Sequence, residues 1–441
     1  MTGRHRTSHA LAMRSGALGD PVPRLLKTAR VLMSSTMASA LLGFGFWVFS
    51  ARLCSRATLG EDAALITLLL GVGSVTDLNL NASLPKLLPQ TRRKRRLVGV
   101  SYAITGPIGI LAGLVIVLVA VMYPGPLGFL ARDRMLLVIL PIATAMWTWF
   151  SLQDSVLAAI GRARLVLVVN VTYGIAKIVT LLLLARTGVE HAVYLAWVLP
   201  AVVATLAVAV YLFFHALSDR LPPNGPAGGG RTSARRFLAA DYAALLLHEA
   251  APIWLQFYVV QIAGGRGNAA LSVPLNMVLI VDSLYVGVAV SLTVEGASAP
   301  GSVNTITRSA VRRLGPLLLL AVGAGVAVAP IVLWPFGGAY AAHGTGILRI
   351  LLLACIPQAV IALQSVLWRL DGLTHRTCAL QAVFLAVLVV SAVFLVPMRG
   401  PYGGATAWLL AQALPAALIL PALYRRLVNR GRYATDIGVH P

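Results

Sequence analysis

Charge is scarce in this chain. Of 441 residues only 11% are charged and 14 are acidic, against about 25% charged in an ordinary soluble domain. A water-exposed globule is excluded. Cysteine is nearly missing. Cys54, Cys355 and Cys378 are scattered, which excludes a disulfide framework and offers no metal-ligand spacing. No glycine-rich loop ending in GK[ST] and no HExxH motif occurs, so neither ATP-driven work nor a zinc hydrolase is expected. Neither a cofactor nor a metal is called for. On the side opposite most of the basic residues no loop exceeds about 12 residues. A membrane-embedded glycan polymerase or transferase would need an ordered loop there to hold two glycans in register.

What is present is apolar. Hydrophobic residues make up 58% of the chain and mean hydropathy is +0.84. Runs of about 20 apolar residues, the length that crosses a bilayer, recur from Arg30 almost to Arg425. In hydrocarbon the backbone must satisfy its own polar groups, so the runs are helices; they lack the alternation of a membrane barrel. The expectation is an all-α polytopic membrane protein with twelve spans, near 28–50, 61–84, 97–122, 135–159, 164–186, 191–216, 236–262, 268–294, 312–336, 345–369, 377–397 and 402–424.

The 36 Lys and Arg residues sort by loop. Eight fall on one side: Arg52, Arg56, Arg132, Arg134, Arg186, Arg266, Arg349 and Arg399. Lys177 alone lies inside a span, and the other 27 lie on the opposite side. Positive residues favour the cytoplasm, so both termini are expected inside, in the cytoplasmic membrane. The run Arg92, Arg93, Lys94, Arg95, Arg96 then sits in a short cytoplasmic loop, where anionic lipid headgroups are its expected partner. No aromatic-interleaved motif accompanies it, so nucleic acid is not expected. The net charge of +22 mostly reflects this sorting.

The polar Gly/Pro-rich stretch 218–235 reads as a cytoplasmic linker. It divides the chain into an arm (1–27), a six-span lobe (28–217), a second six-span lobe (236–424) and a tail (425–441). The arm is polar, with Arg4, Arg6 and Arg14, and lacks the apolar core of a cleavable signal. Equal even numbers of spans give a parallel repeat. An echo supports it. At an offset of 211, Leu152 pairs with Leu363, Gln153 with Gln364 and Gly161 with Gly372.

The stretch from Ser50 to Pro89, with Ala51–Arg52–Leu53, Leu59–Gly60 and the polar end Asp77 to Asn81, resembles the first hairpin of polysaccharide flippases in the multidrug/oligosaccharidyl-lipid/polysaccharide exporter (MOP) superfamily. The fourth-to-fifth hairpin, with Gly161, Arg162, Asn170 and Lys177, and VSLTVEGA at Val290–Ala297 are also similar. Thr58 and Leu59 depart from the usual acidic-aromatic step before Gly60. The resemblance implies two pseudo-symmetric six-helix lobes around a V-shaped central cavity. It implies a flippase for a polyprenyl-linked oligosaccharide or polysaccharide precursor, working beside glycan-synthesis enzymes. An ion-coupled multidrug exporter of the same superfamily is the alternative. A glycan polymerase or transferase, or a pure scaffold, stands further off.

Ionisable groups inside spans are costly and are functional candidates by default. Lys177 lies about 13 Å from the outer end of its span, by the helical rise, too deep to snorkel easily. It is a candidate contact for a lipid-linked diphosphate, or the partner of a buried carboxylate. His248 and Glu249 are neighbours at mid-depth, about 100° apart on the helix, with Pro252 one turn on. Glu249 is a candidate for binding a coupling cation or proton, or for pairing with a basic residue. Asp282 could pair with His248. Asp77, Asn79, Asp154 and Asp241 lie near the cytoplasmic ends of helices, as caps, water contacts or a gate. Arg52, Arg349 and Arg369 read as snorkelling residues. In the first span Ser34, Ser35, Thr36, Ser39, Gly43 and Gly45 suggest close helix packing, and Trp47, Tyr123 and Tyr424 suggest interfacial anchors.

Overall fold

The computed structural model describes residues 38–88, 91, 93–217, 231–298 and 303–428, with backbone only over 231–238 and most of 279–298. The arm, most of the linker, the end of the tail and Arg92 lie outside it. The described residues form helices and no strand. In chain order these are α1 (Ala38–Leu53), α2 (Arg56–Thr76), α3 (Leu80–Leu87), α4 (Lys94–Met122), α5 (Pro124–Arg132), α6 (Arg134–Ala159), α7 (Ala163–Thr187) and α8 (Ala192–Tyr211). A helical stretch Arg231–Ser298 breaks at Gly264, whose φ is 68° and ψ 177°, into α9 (231–263) and α10 (265–298). Then come α11 (Val303–Leu333), α12 (Gly338–Leu370), α13 (Thr374–Arg399) and α14 (Pro401–Val428).

Among the described residues ten helical stretches are long and apolar enough to cross a membrane. One of them, Ala239–Val278, holds both α9 and α10, and α1 is shorter. Counting these gives twelve spans. Gln256 and Asn268 prove the reversal at Gly264. Their side chains are 3.4 Å apart, where a straight helix would separate residues twelve apart by about 18 Å.

The protein has twelve spans in two lobes of six: α1, α2, α4, α6, α7, α8, and then α9 to α14. The repeat is visible at atomic level. Gly161 and Gly372 both take left-handed φ, +77° and +74°. In the first turn Arg162 N–H donates to Leu157 and Gly161 N–H to Ala158. In the second, Leu373 N–H donates to Trp368 and Gly372 N–H to Arg369. Both are the same glycine-terminated helix end, and every residue is displaced by 211. Gln153 and Gln364, also paired at that offset, are both buried.

Three expectations need correction. The second span does not run to 84. It ends at Thr76, because the Asp77 carboxylate takes the N–H of Asn79 at 2.7 Å and Leu78 and Asn79 adopt positive φ, so a separate short helix, α3, follows. Trp47 is no interfacial anchor. It is 4% exposed and packs against Phe46 and Trp197; Tyr123 and Tyr424 are exposed. Close packing is also not centred on α1, where Gly43 faces open space. It lies on α4, where Gly106, Gly109 and Gly113 meet Trp149, Ala145 and Pro141 of α6. Small residues three and four apart let these backbones approach. Ser34, Ser35 and Thr36 lie outside the described residues.

Candidate transport pathway

The two lobes meet along one face of α2. Gly60, Thr67, Gly71 and Val75 recur at helical spacing, and each faces a polar group of the second lobe. Asn268 Nδ2 donates to the Gly60 carbonyl at 2.7 Å, Gln256 Nε2 to Thr67 Oγ1 at 2.7 Å, and the Tyr242 hydroxyl to the Val75 carbonyl at 2.7 Å. Glu249 Oε2 lies beside Gly71. Gln256 and Asn268 are 1% and 0% exposed, so this seam is polar and buried together. Sequence reasoning missed Gln256 and Asn268, because an uncharged amide in an apolar run does not stand out.

At the end of the seam away from the basic loops the lobes are tied. A Cβ on Gly60 would overlap the Gly265 carbonyl, and one on Gly265 would overlap Ala57. Arg52 donates from Nε to the Pro335 carbonyl at 2.7 Å, and the Arg56 guanidinium sits 5.4 Å from the ring centre of Tyr340. Arg52 therefore bridges lobes rather than snorkelling. Arg349 and Arg369 also have protein partners, the Val326 carbonyl at 3.1 Å and Asp241 at 2.8 Å.

His248 and Glu249 diverge as their spacing requires. Glu249 faces the seam, while His248 opens into a recess inside the second lobe. The structure does not bring Asp154 or Asp241 to the seam. Asp154 accepts from Asn170 at 3.0 Å and Asp241 pairs with Arg369. Asp77 also accepts from Asn81 at 2.6 Å, and Asn79 opens α3. The side chain of Asp282 lies outside the described residues. Arg93, Arg95 and Arg96 are exposed where α4 begins, and Lys94 is half-buried.

Lys177 is 5% exposed, and no carboxylate pairs with it among the described residues. Its Nζ is instead 4.0 Å from the ring centre of Trp197, 5.0 Å from Phe46 and 5.4 Å from Tyr173, a cation–π box. The repeat supplies a control. The positions 211 onward from Tyr173, Lys177 and Trp197 are Phe384, Leu388 and Trp408. Phe384 and Trp408 make the same edge contact, at 5.5 Å, and Leu388 is fully buried. A leucine therefore satisfies this packing position in the second lobe.

One buried acid escaped the sequence reading. Asp62, 0% exposed, accepts from His191 Nδ1 at 2.6 Å and from the N–H groups of Val193 and Tyr194 at 3.0 and 3.2 Å. It caps the N-terminus of α8 from another helix.

No family model and no curated protein matches this sequence. Solved structures do. An inward-facing multidrug resistance MATE family transporter of the MOP superfamily matches at 16% identity, over 88% of this chain and 94% of its own, with TM-score 0.64. The lipid II flippase MurJ in an inward closed conformation matches at 11% identity, over 89% and 87%, with TM-score 0.69. The chain has the MOP transporter fold. An outward-facing MATE structure, 16% identical over 93% and 96%, gives TM-score 0.57.

Proposed function

We propose that this MOP-fold protein is a flippase that moves a lipid-linked oligosaccharide or polysaccharide precursor across the cytoplasmic membrane by alternating access. The observation that carries this reading is the buried polar seam between the lobes, joining Thr67, Gly60 and Val75 to Gln256, Asn268 and Tyr242. Polar groups are costly in a membrane interior, and a seam that is remade as two lobes rock gives them a use. The loops rich in Arg mark the cytoplasmic side, so the tied end at Gly60 and Gly265 is the outer end. That state is closed outward, in keeping with the higher TM-scores to inward conformations.

Glu249 is the coupling residue of this reading, placed at the seam beside Gly71. Lys177 is the intramembrane cation that meets the diphosphate once the aromatic box opens. That no carboxylate pairs with it among the described residues favours an anionic cargo over the cationic drugs of the alternative reading. Polyprenyl-linked glycan and anionic lipids at Arg92–Arg96 are the expected partners, with glycan-synthesis enzymes nearby. The test is reconstitution into vesicles loaded with a fluorescent polyprenyl-diphosphate glycan. Flipping that depends on pH or sodium and is abolished in Glu249→Gln supports the reading. Unchanged flipping in that variant removes Glu249 from the mechanism, and export of cationic dyes without glycan flipping moves the protein to the multidrug branch.

A further inference from the structure

The second lobe holds a recess apart from the seam. It is a cavity of about 240 Å³ enclosed by α9, α12, α13 and α14. Its deep wall carries Ser365, Thr377 and Gln412, which are 7%, 1% and 3% exposed. Among the described residues the Ser365 and Thr377 hydroxyls find no hydrogen-bond partner. Its exposed rim carries His248 and Arg369. Gln358 and Gln381 lie between, and His248 is hydrogen-bonded to Gln381. Arg369 is held through Nε by Asp241 at 2.8 Å. Among the described residues no carboxylate lines the cavity.

The repeat shows that packing does not require this hole. At the offset of 211, Gln358 corresponds to Trp147, Ile361 to Phe150, Ser365 to Asp154 and Gln412 to Ala201. In the first lobe Trp147 stacks on Phe150 at 5.1 Å and Phe150 lies 4.8 Å from Tyr173, so aromatic rings fill the equivalent place. The second lobe exchanges a ring for an amide, a methyl for an amide and a carboxylate for a hydroxyl. Trp147 to Gln358 removes bulk, Asp154 to Ser365 removes negative charge, Ala201 to Gln412 adds a donor, and every one of these changes adds or keeps one. A buried hydroxyl left unpaired is costly, so an apolar occupant would be penalised here. Amide, hydroxyl and guanidinium donors around a site without carboxylates suit an acceptor-rich anion.

We propose that this recess binds a small oxyanion, a phosphate or the carboxylate of an acidic sugar, held by Arg369, Gln358, Gln412, Ser365 and Thr377. The proposal stands independently of the flippase reading. It is tested by thermal unfolding of the full chain in detergent, titrated with sodium phosphate, sodium glucuronate or glucose at ionic strength matched with sodium chloride. The expected result is a saturable rise in melting temperature with phosphate or glucuronate. Glucose should give none, and the apparent affinity should fall at least tenfold in Arg369→Gln and in Gln358→Trp, which copies the first lobe's own filling. Phosphate alone identifies a free ion from the aqueous phase, and glucuronate alone identifies the acidic group of a glycan. Absence of any shift, an equal shift with glucose, or a shift that survives in both variants overturns the proposal. Should Gln358→Trp fail to fold, Gln412→Leu takes its place.

Discussion

Lys177 and Leu388 occupy corresponding places in the two lobes, and the difference between them is one buried charge. A charge without a carboxylate partner weakens a packed interior, and Leu388 shows that the surrounding rings accept a leucine. Lys177→Leu should therefore fold with an unchanged or higher melting temperature while glycan flipping falls to background. Full flipping by a normally expressed variant would make the lysine a packing residue. Asp62 works in the opposite sense. It satisfies His191 and the first N–H groups of α8, so Asp62→Ala strands all three and should cost about 3 kcal/mol. His191 itself carries a pH signature. Burial alone would lower its pKa, yet the Asp62 carboxylate bonded to Nδ1, with the charges of Asp133 and Glu61 close by, raises it. A raised native value gives stability that is complete below about pH 6.5, the unfolded value, and is lost as pH climbs through the native one. The melting temperature should fall as pH rises above about 6.5, with a shallower slope in His191→Gln.

At the scale of elements, α2 is the helix on which both lobes depend. Its Gly60 end touches the α9–α10 hairpin backbone to backbone, and no residue with a side chain fits there. Gly60→Ala should spread the lobes at that end. Cys54 reports on it. Burial, and then the Asp62 charge, push the Cys54 thiol up to about 11, so little reactive thiolate is present at neutral pH. In a Cys378→Ser background an impermeant maleimide should label Cys54 several-fold faster when Gly60 is replaced by Ala. Equal rates would mean that the tie at Gly60 does not hold the lobes closed. The break after α2 belongs to this scale too. Asp77 ends the helix by capturing the Asn79 N–H, a local event that hydropathy across 61–84 could not register.

At the scale of the whole molecule, two lobes of one design have diverged in their interiors. The first is filled by Trp147, Phe150 and Tyr173, with a lysine boxed by Tyr173, Phe46 and Trp197, and the second is hollow around Ser365, Thr377 and Gln412. Rocking motion needs lobes that are rigid inside and separable between. At the seam a few hydrogen bonds of about 1 kcal/mol each run beside apolar contacts, with Ile253 on Gly71 and Phe129 stacked on Phe257 at 5.8 Å. Removing one of these hydrogen bonds in Gln256→Leu/Thr67→Val should shift the conformational balance and change the flipping rate while each lobe keeps its fold. The checks are the flipping assay and the melting temperature of the double variant.

The sequence by itself determined that the chain is a bundle of apolar helices, that there are twelve, and that they form two matching sets. Those properties are local or periodic. Hydropathy summed over about twenty residues is insensitive to any one side chain, and a glycine that must take left-handed φ leaves the same mark in both halves, at 161 and 372. The tertiary structure alone decided which polar residues meet. Asp62 finds His191 129 positions away, Gln256 finds Thr67 across the lobes, and His248 and Glu249, one residue apart, end in different compartments. No pattern along a chain encodes such pairings, because a hydrogen bond is decided within about an ångström by how helices rotate and tilt against one another.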